Sequence, residues 1–187
     1  MKKTFLLVWA SLSLFAAFVA QAAEQQLFTV SAGKDGSGLI QLQSSDEPQP
    51  KLQKFTITGT LLGKKINEIY TPVDLEQMRK SGKPRTIINY MGADALTFLP
   101  LPDFTIAQGG GIRVGYATGV SSRKQMDVQL DYDPVGNRWW MIYTKAPKPI
   151  RLSGINVQFN KFLGQPTGIK KVEGIDEFGR IVQLPGV

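Results

Sequence analysis

Lys124-Gln125-Met126-Asp127-Val128-Gln129-Leu130-Asp131-Tyr132, then Asp133-Pro134-Val135-Gly136-Asn137, then Arg138-Trp139-Trp140-Met141-Ile142-Tyr143-Thr144-Lys145, reads as two strands around a turn. In the first strand Met126, Val128, Leu130 and Tyr132 share one face, and Gln125, Asp127, Gln129 and Asp131 the other. This period of two is the signature of a half-buried strand. Placing Tyr132 opposite Arg138 sets Leu130 against Trp140 and Val128 against Ile142, an apolar face. The second face then pairs Asp131 with Trp139, Gln129 with Met141, Asp127 with Tyr143 and Gln125 with Lys145, side chains about 5 Å apart. A slip of one residue exchanges the two faces.

The same alternation recurs outward from this hairpin. Phe55, Ile57 and Leu61 alternate with Lys54, Thr56, Thr58 and Thr60, and Ile112, Val114 and Tyr116 alternate likewise. Shorter strands are predicted at 27–30, 38–42, 86–90, 96–99 and 180–184. Between Ile150-Arg151-Leu152 and Ile155-Asn156-Val157-Gln158-Phe159 the apolar phase slips at Ser153-Gly154, as a β-bulge would make it. One helix is predicted over about 72–81, with Thr71 as cap, Pro72 at its first position and Asp74 three residues after the cap. Gly82 supplies its left-handed exit. Ten residues do not hold a helix alone, so Leu75 and Met78 should pack on a sheet.

Turn residues fall evenly along the chain, with no stretch long enough for a linker. The predicted architecture is therefore all-β, or mainly β with one short helix: an antiparallel sandwich or barrel of about eight to ten strands. Gly109-Gly110-Gly111 reads as a flexible turn, Asp46 to Pro50 as an exposed loop, and 184–187 as a frayed tail.

The 187 residues include no Cys and no His, with Lys+Arg 22 against Asp+Glu 15. Without histidine there is no Ser-His-Asp or Cys-His catalysis and no imidazole ligand. Without cysteine there is no disulfide and no thiolate metal site. Met1-Lys2-Lys3, the uncharged apolar run 4–20 and Ala20-Gln21-Ala22 read as a secretory signal peptide over 1–22, cut after Ala22. One β-rich domain over 23–187 follows, expected to be soluble and periplasmic or secreted. Removing Lys2 and Lys3 lowers the formal net charge from +7 to +5.

Catalytic patterns are weak. Ser121-x-x-Lys124 precedes a strand, so no helical turn joins its ends. Asp127 and Asp131 are roughly 13 Å apart along a strand, too far for a glycosidase pair. Asp133 is expected to spend its hydrogen bonds in the turn. The start of an EF-hand-like loop at Asp131 has Val135 where an oxygen ligand belongs. No catalytic residue, metal or cofactor is predicted.

Binding remains. Trp139, Met141 and Tyr143 interleaved with Asp127, Gln129 and Asp131 would offer rings for the C–H faces of a sugar and fixed groups for its hydroxyls. The competing reading makes the same rings ordinary core. Arg79, Lys80, Lys83 and Arg85 form a basic cluster suited to an anionic envelope component rather than nucleic acid. The expectation is a non-catalytic envelope binding module for a glycan or small ligand. The alternative is a periplasmic protein-interaction component (an assembly accessory, chaperone-like factor or hydrolase inhibitor) using a basic surface and an exposed strand edge.

Overall fold

The computed structural model describes residues 24–90, 93–119 and 122–187. The leader predicted over 1–22 and Ser121 lie outside the described residues. Among the described residues the chain is mainly β with one α-helix, and a ten-strand sheet nearly closes into a barrel. Its strands are β1 (Glu24–Ser31), β2 (Gly36–Ser44), β3 (Leu52–Leu61), β4 (Lys64–Tyr70), β5 (Arg85–Tyr90), β6 (Ala93–Pro100), β7 (Gly109–Ala117), β8 (Arg123–Asp133), β9 (Arg138–Tyr143) and β10 (Ile150–Phe162). Two more, β11 (Gln165–Asp176) and β12 (Ile181–Val182), attach beyond β10.

The long strand β10 organises closure. Leu152 pairs with both Met141 and Asp176, and Gly154 with both Thr29 and Ile175. Strands β9 and β1 therefore follow one another along one side of β10, with β11 on the other. From there β1-β2-β3-β4 and β9-β8-β7-β6-β5 run as two arms whose ends approach each other. Lys64 Nζ donates to the Asn89 carbonyl at 2.6 Å across that joint. Pairing is antiparallel except between β1 and β10, which are parallel. Gly154 sits at this parallel contact because a Cβ there would lie 2.3 Å from the Thr29 carbonyl oxygen.

The interior is apolar, with Phe28, Ile40, Phe55, Ile57, Ile112, Val128, Leu130 and Met141 among its buried residues. Phe55, Tyr70 and Phe98 stack across it, with centroids 5.0 and 5.7 Å apart for the two pairs with Phe98. Two interior voids of about 10 and 30 Å³ hold at most a water or so, and side chains fill the barrel interior. Outward positions carry Gln41, Thr58, Gln129, Asp131 and Asn156, the reverse of a membrane barrel. Among the described residues no helix is long and apolar enough to cross a membrane.

Helix α1 (Pro72–Ser81) has the predicted ends: Thr71 and Asp74 form a capping box, and Gly82 exits at φ 63°. Leu75 is fully buried on the sheet. The bulge at Ser153 is present, as a register shift between Leu152 and Gly154.

Two strands add to those predicted, and two expectations are corrected. The ten strands of the nearly closed sheet agree with the expected eight to ten, and β11 and β12 bring the total among the described residues to twelve; β4 and β11, which lack clean alternation, fall outside the strands predicted. In β4 the inward positions are Ile66, Glu68 and Tyr70, and Ile69 points out. In β11 a register shift beside Lys170 brings both Ile169 and Val172 inward. Gly109-Gly110-Gly111 is a buried strand start rather than a turn: a Cβ on Gly110 would lie 2.5 Å from Phe104 Cα, so bare backbone is needed for close approach. The tail is docked, with Leu184 buried and the Tyr143 hydroxyl donating to the Pro185 carbonyl.

Candidate functional site

The β8–β9 ladder runs one residue out of phase with the sequence reading. Tyr132 faces Trp139, Leu130 faces Met141 and Asp131 faces Trp140. The cause is the turn. Asp133 accepts from the Val135 and Gly136 backbone N–H groups at 3.0 and 3.1 Å, and Asn137 adopts φ 47°. Asp before Pro is the first residue of a type I turn, so Asp133 itself is the last ladder position and pairs with Arg138.

This phase divides the six predicted ligand residues. Trp139, Met141 and Tyr143 point inward and are buried, with Trp139 tilted against Tyr132 at 5.3 Å. Asp127, Gln129 and Asp131 remain on the outer face. The rings and the carboxylates therefore do not share a surface, and the predicted six-residue site is not assembled. The aromatic residue that joins the outer face is Trp140, which sequence reasoning placed in the core. The Asp-Pro turn signal would have found it.

Trp140 lies under two cations. The Arg138 guanidinium carbon is 3.8 Å and that of Arg151 4.7 Å from its ring centroid. A guanidinium laid on an indole keeps its N–H edge free for a bidentate anion. Arg151 reaches Glu177 only at 3.8 Å, and Arg138 makes no ion pair among the described residues. Burial is partial, so Trp140 can report on a bound molecule.

The neighbouring groups have different freedom. Asp127 is clamped by Arg113, Oδ1 to Nε at 2.8 Å and Oδ2 to Nη2 at 2.9 Å, with Lys145 at 3.8 Å. The Arg113 hydrogen bonds hold its carboxyl below the usual range against the opposing effect of burial. Asp133 is likewise held low, first by the Gly136 backbone N–H. Asp131, opposite Trp140, makes no ion pair among the described residues, and Gln129 stands next to it on the same face. The face thus presents an indole, two guanidinium edges, one unpaired carboxylate and one amide.

The predicted basic cluster is partly spent. Arg79 grips Glu76 through Nη2 at 2.6 Å and Nε at 2.8 Å, and Lys80 adds a contact at 3.3 Å. Those bonds pull the Glu76 carboxyl down to about 2. Lys83 and Arg85 are exposed beyond the helix end. With Arg85 beside the Tyr70 hydroxyl and Asp74, the four charges do not form one focused site.

Two other polar features are present. Glu173, nearly buried on the outside of β11, takes Gln183 Nε2 at 2.6 Å and Lys171 Nζ at 2.7 Å, with Asn156 at 3.3 Å. Its carboxylate is saturated from within. A shallow open cleft of about 540 Å³ lies against Ser37, Thr58, Thr60, Lys65 and Asn67. Among the described residues no three acidic side chains gather to hold a metal ion. Compared with known proteins, the chain matches no family model, no curated protein and no solved structure.

Proposed function

We propose that the chain is an exported, non-catalytic binding module of the cell envelope. It recognises an acidic glycan, or a small ligand carrying both an anion and hydroxyls, over the outer face around Trp140. The single observation behind this reading is the stack of Arg138 and Arg151 on Trp140, with Asp131 and Gln129 adjoining. A carboxylate on the ligand would take the guanidinium edges, and its hydroxyls the Asp131 carboxylate and Gln129 amide. Export rests on the charged start, apolar run and Ala20-Gln21-Ala22 of the first 22 residues.

Tryptophan fluorescence during titration with uronic-acid oligosaccharides, beside their neutral counterparts, tests the reading. Saturable quenching by the acidic series alone is expected, lost in Arg138→Gln/Arg151→Gln. Binding that is indifferent to ligand charge, or to those two substitutions, refutes it.

The protein-interaction alternative draws support from β11. Its edge along 165–173 has no strand partner among the described residues beyond β10, since β12 covers only Gly174 and Ile175. Lys170 and Lys171 on that edge are the kind of residue that discourages strand addition, which favours the first reading.

A further inference from the structure

Three connections meet at the end of the barrel remote from Trp140. The Leu62 backbone N–H donates to the Asp35 carbonyl at 2.7 Å, joining the β3–β4 turn to the short 3-10 turn Gly33–Asp35. Lys161 forms an ion pair with the Asp35 carboxylate, adding the β10–β11 turn to the group. Arg151 and Phe162 lie eleven residue steps apart along β10, about 36 Å at the rise of a strand. This end is therefore separate from the face described above.

Beyond the Asp35–Lys161 pair the β10–β11 tip carries Phe162 at 69% and Leu163 at 87% exposure. Leu163 sits at φ 49° and Gly164 at φ 79°, the conformation of a two-residue hairpin turn with both centres left-handed. Asn-Gly is the sequence such turns favour, because asparagine tolerates the left-handed region and leucine does not. The β3–β4 turn repeats the pattern with Leu62 at φ 53° and Gly63 at φ 73°. There Leu62 is half-buried and so gains packing, whereas Leu163 gains almost none. An apolar side chain is held at the tip against both backbone preference and water.

Cations stand behind it. Lys34, Lys64, Lys65 and Lys161 belong to these three connections, and Asp35 is the one carboxylate among them. Lys34, Lys64 and Lys65 are exposed, and Lys64 also bonds the Asn89 carbonyl. An aromatic and a leucine in front of a lysine collar match the layered chemistry of an anionic bilayer: headgroup phosphates outside, hydrocarbon beneath. A protein partner would be expected to meet a flatter surface than one two-residue apex.

We propose that this end docks reversibly on an anionic phospholipid surface, with Phe162 and Leu163 entering the headgroup boundary and Lys34, Lys64, Lys65 and Lys161 facing the phosphates. The docking is independent of ligand recognition at Trp140.

Co-sedimentation with vesicles of phosphatidylcholine, alone or with phosphatidylglycerol raised to about one-third, tests it. The parent chain should bind the anionic vesicles at least tenfold more tightly than the neutral ones, and lose that preference as salt rises from about 0.05 to about 0.5 M. Phe162→Ser/Leu163→Asn should weaken binding at least tenfold. Asn suits the turn better than Leu, so an unchanged or raised melting temperature shows that the loss is not unfolding. Lys34→Glu/Lys65→Glu, which leaves the Lys64 bond to Asn89 in place, should weaken binding to anionic vesicles only, with the melting temperature unchanged. Parent and variants carry the same residues 1–23, so any contribution of that segment is common to both. Equal binding by the tip variant overturns the proposal. So does self-association of the parent in solution that the tip variant abolishes while vesicle binding stays absent.

Discussion

Trp139→Ala and Trp140→Ala change neighbouring residues of the same type, yet the ladder phase gives them opposite consequences. Trp139 is 3% exposed and packed on Tyr132. Truncating it removes a core aromatic and leaves a cavity, worth about 3–5 kcal/mol. For a chain of this size each kcal/mol moves the melting temperature about 2–4 °C, so a fall of about 6–20 °C is expected. Trp140 on the outer face gives up two guanidinium stacks of about 0.5–1 kcal/mol each. Its truncation should lower the melting temperature only about 2–8 °C. Thermal unfolding followed by far-ultraviolet circular dichroism measures both. Acrylamide quenching gives a second readout: Trp139→Phe should keep the accessible fluorophore and Trp140→Phe the protected one, with Trp9 common to both. A larger loss for Trp140→Ala than for Trp139→Ala would refute the register, and with it the assignment of the outer face.

Four further outcomes follow from named contacts. Thr71→Ala removes the capping box of α1 and should cost about 1 kcal/mol, read as a shift in urea midpoint with unchanged slope. Gly110→Ala would push a Cβ to 2.5 Å from Phe104 Cα at a backbone φ of 128°, so it should cost more than about 2 kcal/mol in the same assay. Because the folded carboxyl of Asp127 is held low by Arg113, its stabilisation is present above roughly pH 4 and fades as pH falls through the depressed value. Asp127→Asn should therefore lose less stability than the parent between about pH 5 and pH 2 in urea titrations. Ending the chain at Leu184 strips the Pro185 acceptor from the Tyr143 hydroxyl and should destabilise by about 1–3 kcal/mol, an effect Tyr143→Phe should partly relieve.

Where alternation was intact, the sequence read true. Strands β3, β7 and β8, the capped helix and the bulge at Ser153 rest on local rules that the tertiary structure did not override. Strand β4 escaped because Ile66, Ile69 and Tyr70 have helix-like spacing, and its inward Glu68 was masked by charge. That carboxylate is the acceptor for the Tyr70 hydroxyl at 3.3 Å, and burial, with Glu68 beside it, pushes the phenol up. Strand β11 escaped because a bulge interrupts its period. The docked tail depends on a contact between residues 143 and 185, which no local pattern carries. For the candidate site the error was one residue of phase, and a period of two turns that into an exchange of faces.

The same exchange bears on catalysis. Hydrolysis by paired carboxyls needs one acid pushed up, so that it keeps its proton near neutral pH, and one left ionised. Among the described residues, Asp74, Glu76, Asp127, Asp133, Glu173 and Asp176 are each held below the usual carboxylate range by hydrogen bonds or cations. Asp176 illustrates the balance, for burial pushes it up while the Arg180 side chain and the Phe178 and Arg180 backbone N–H groups bring it below its ordinary value. Carboxylates used this way fasten strands and turns. Asp131 lacks such a fastening, and it stands opposite Trp140 with no second free carboxylate beside it on the face. One carboxylate, one amide and two guanidinium edges can orient a ligand by its hydroxyls and its charge. The proposed recognition of an anionic, hydroxylated ligand rests on that pairing of charge and hydrogen-bonding groups.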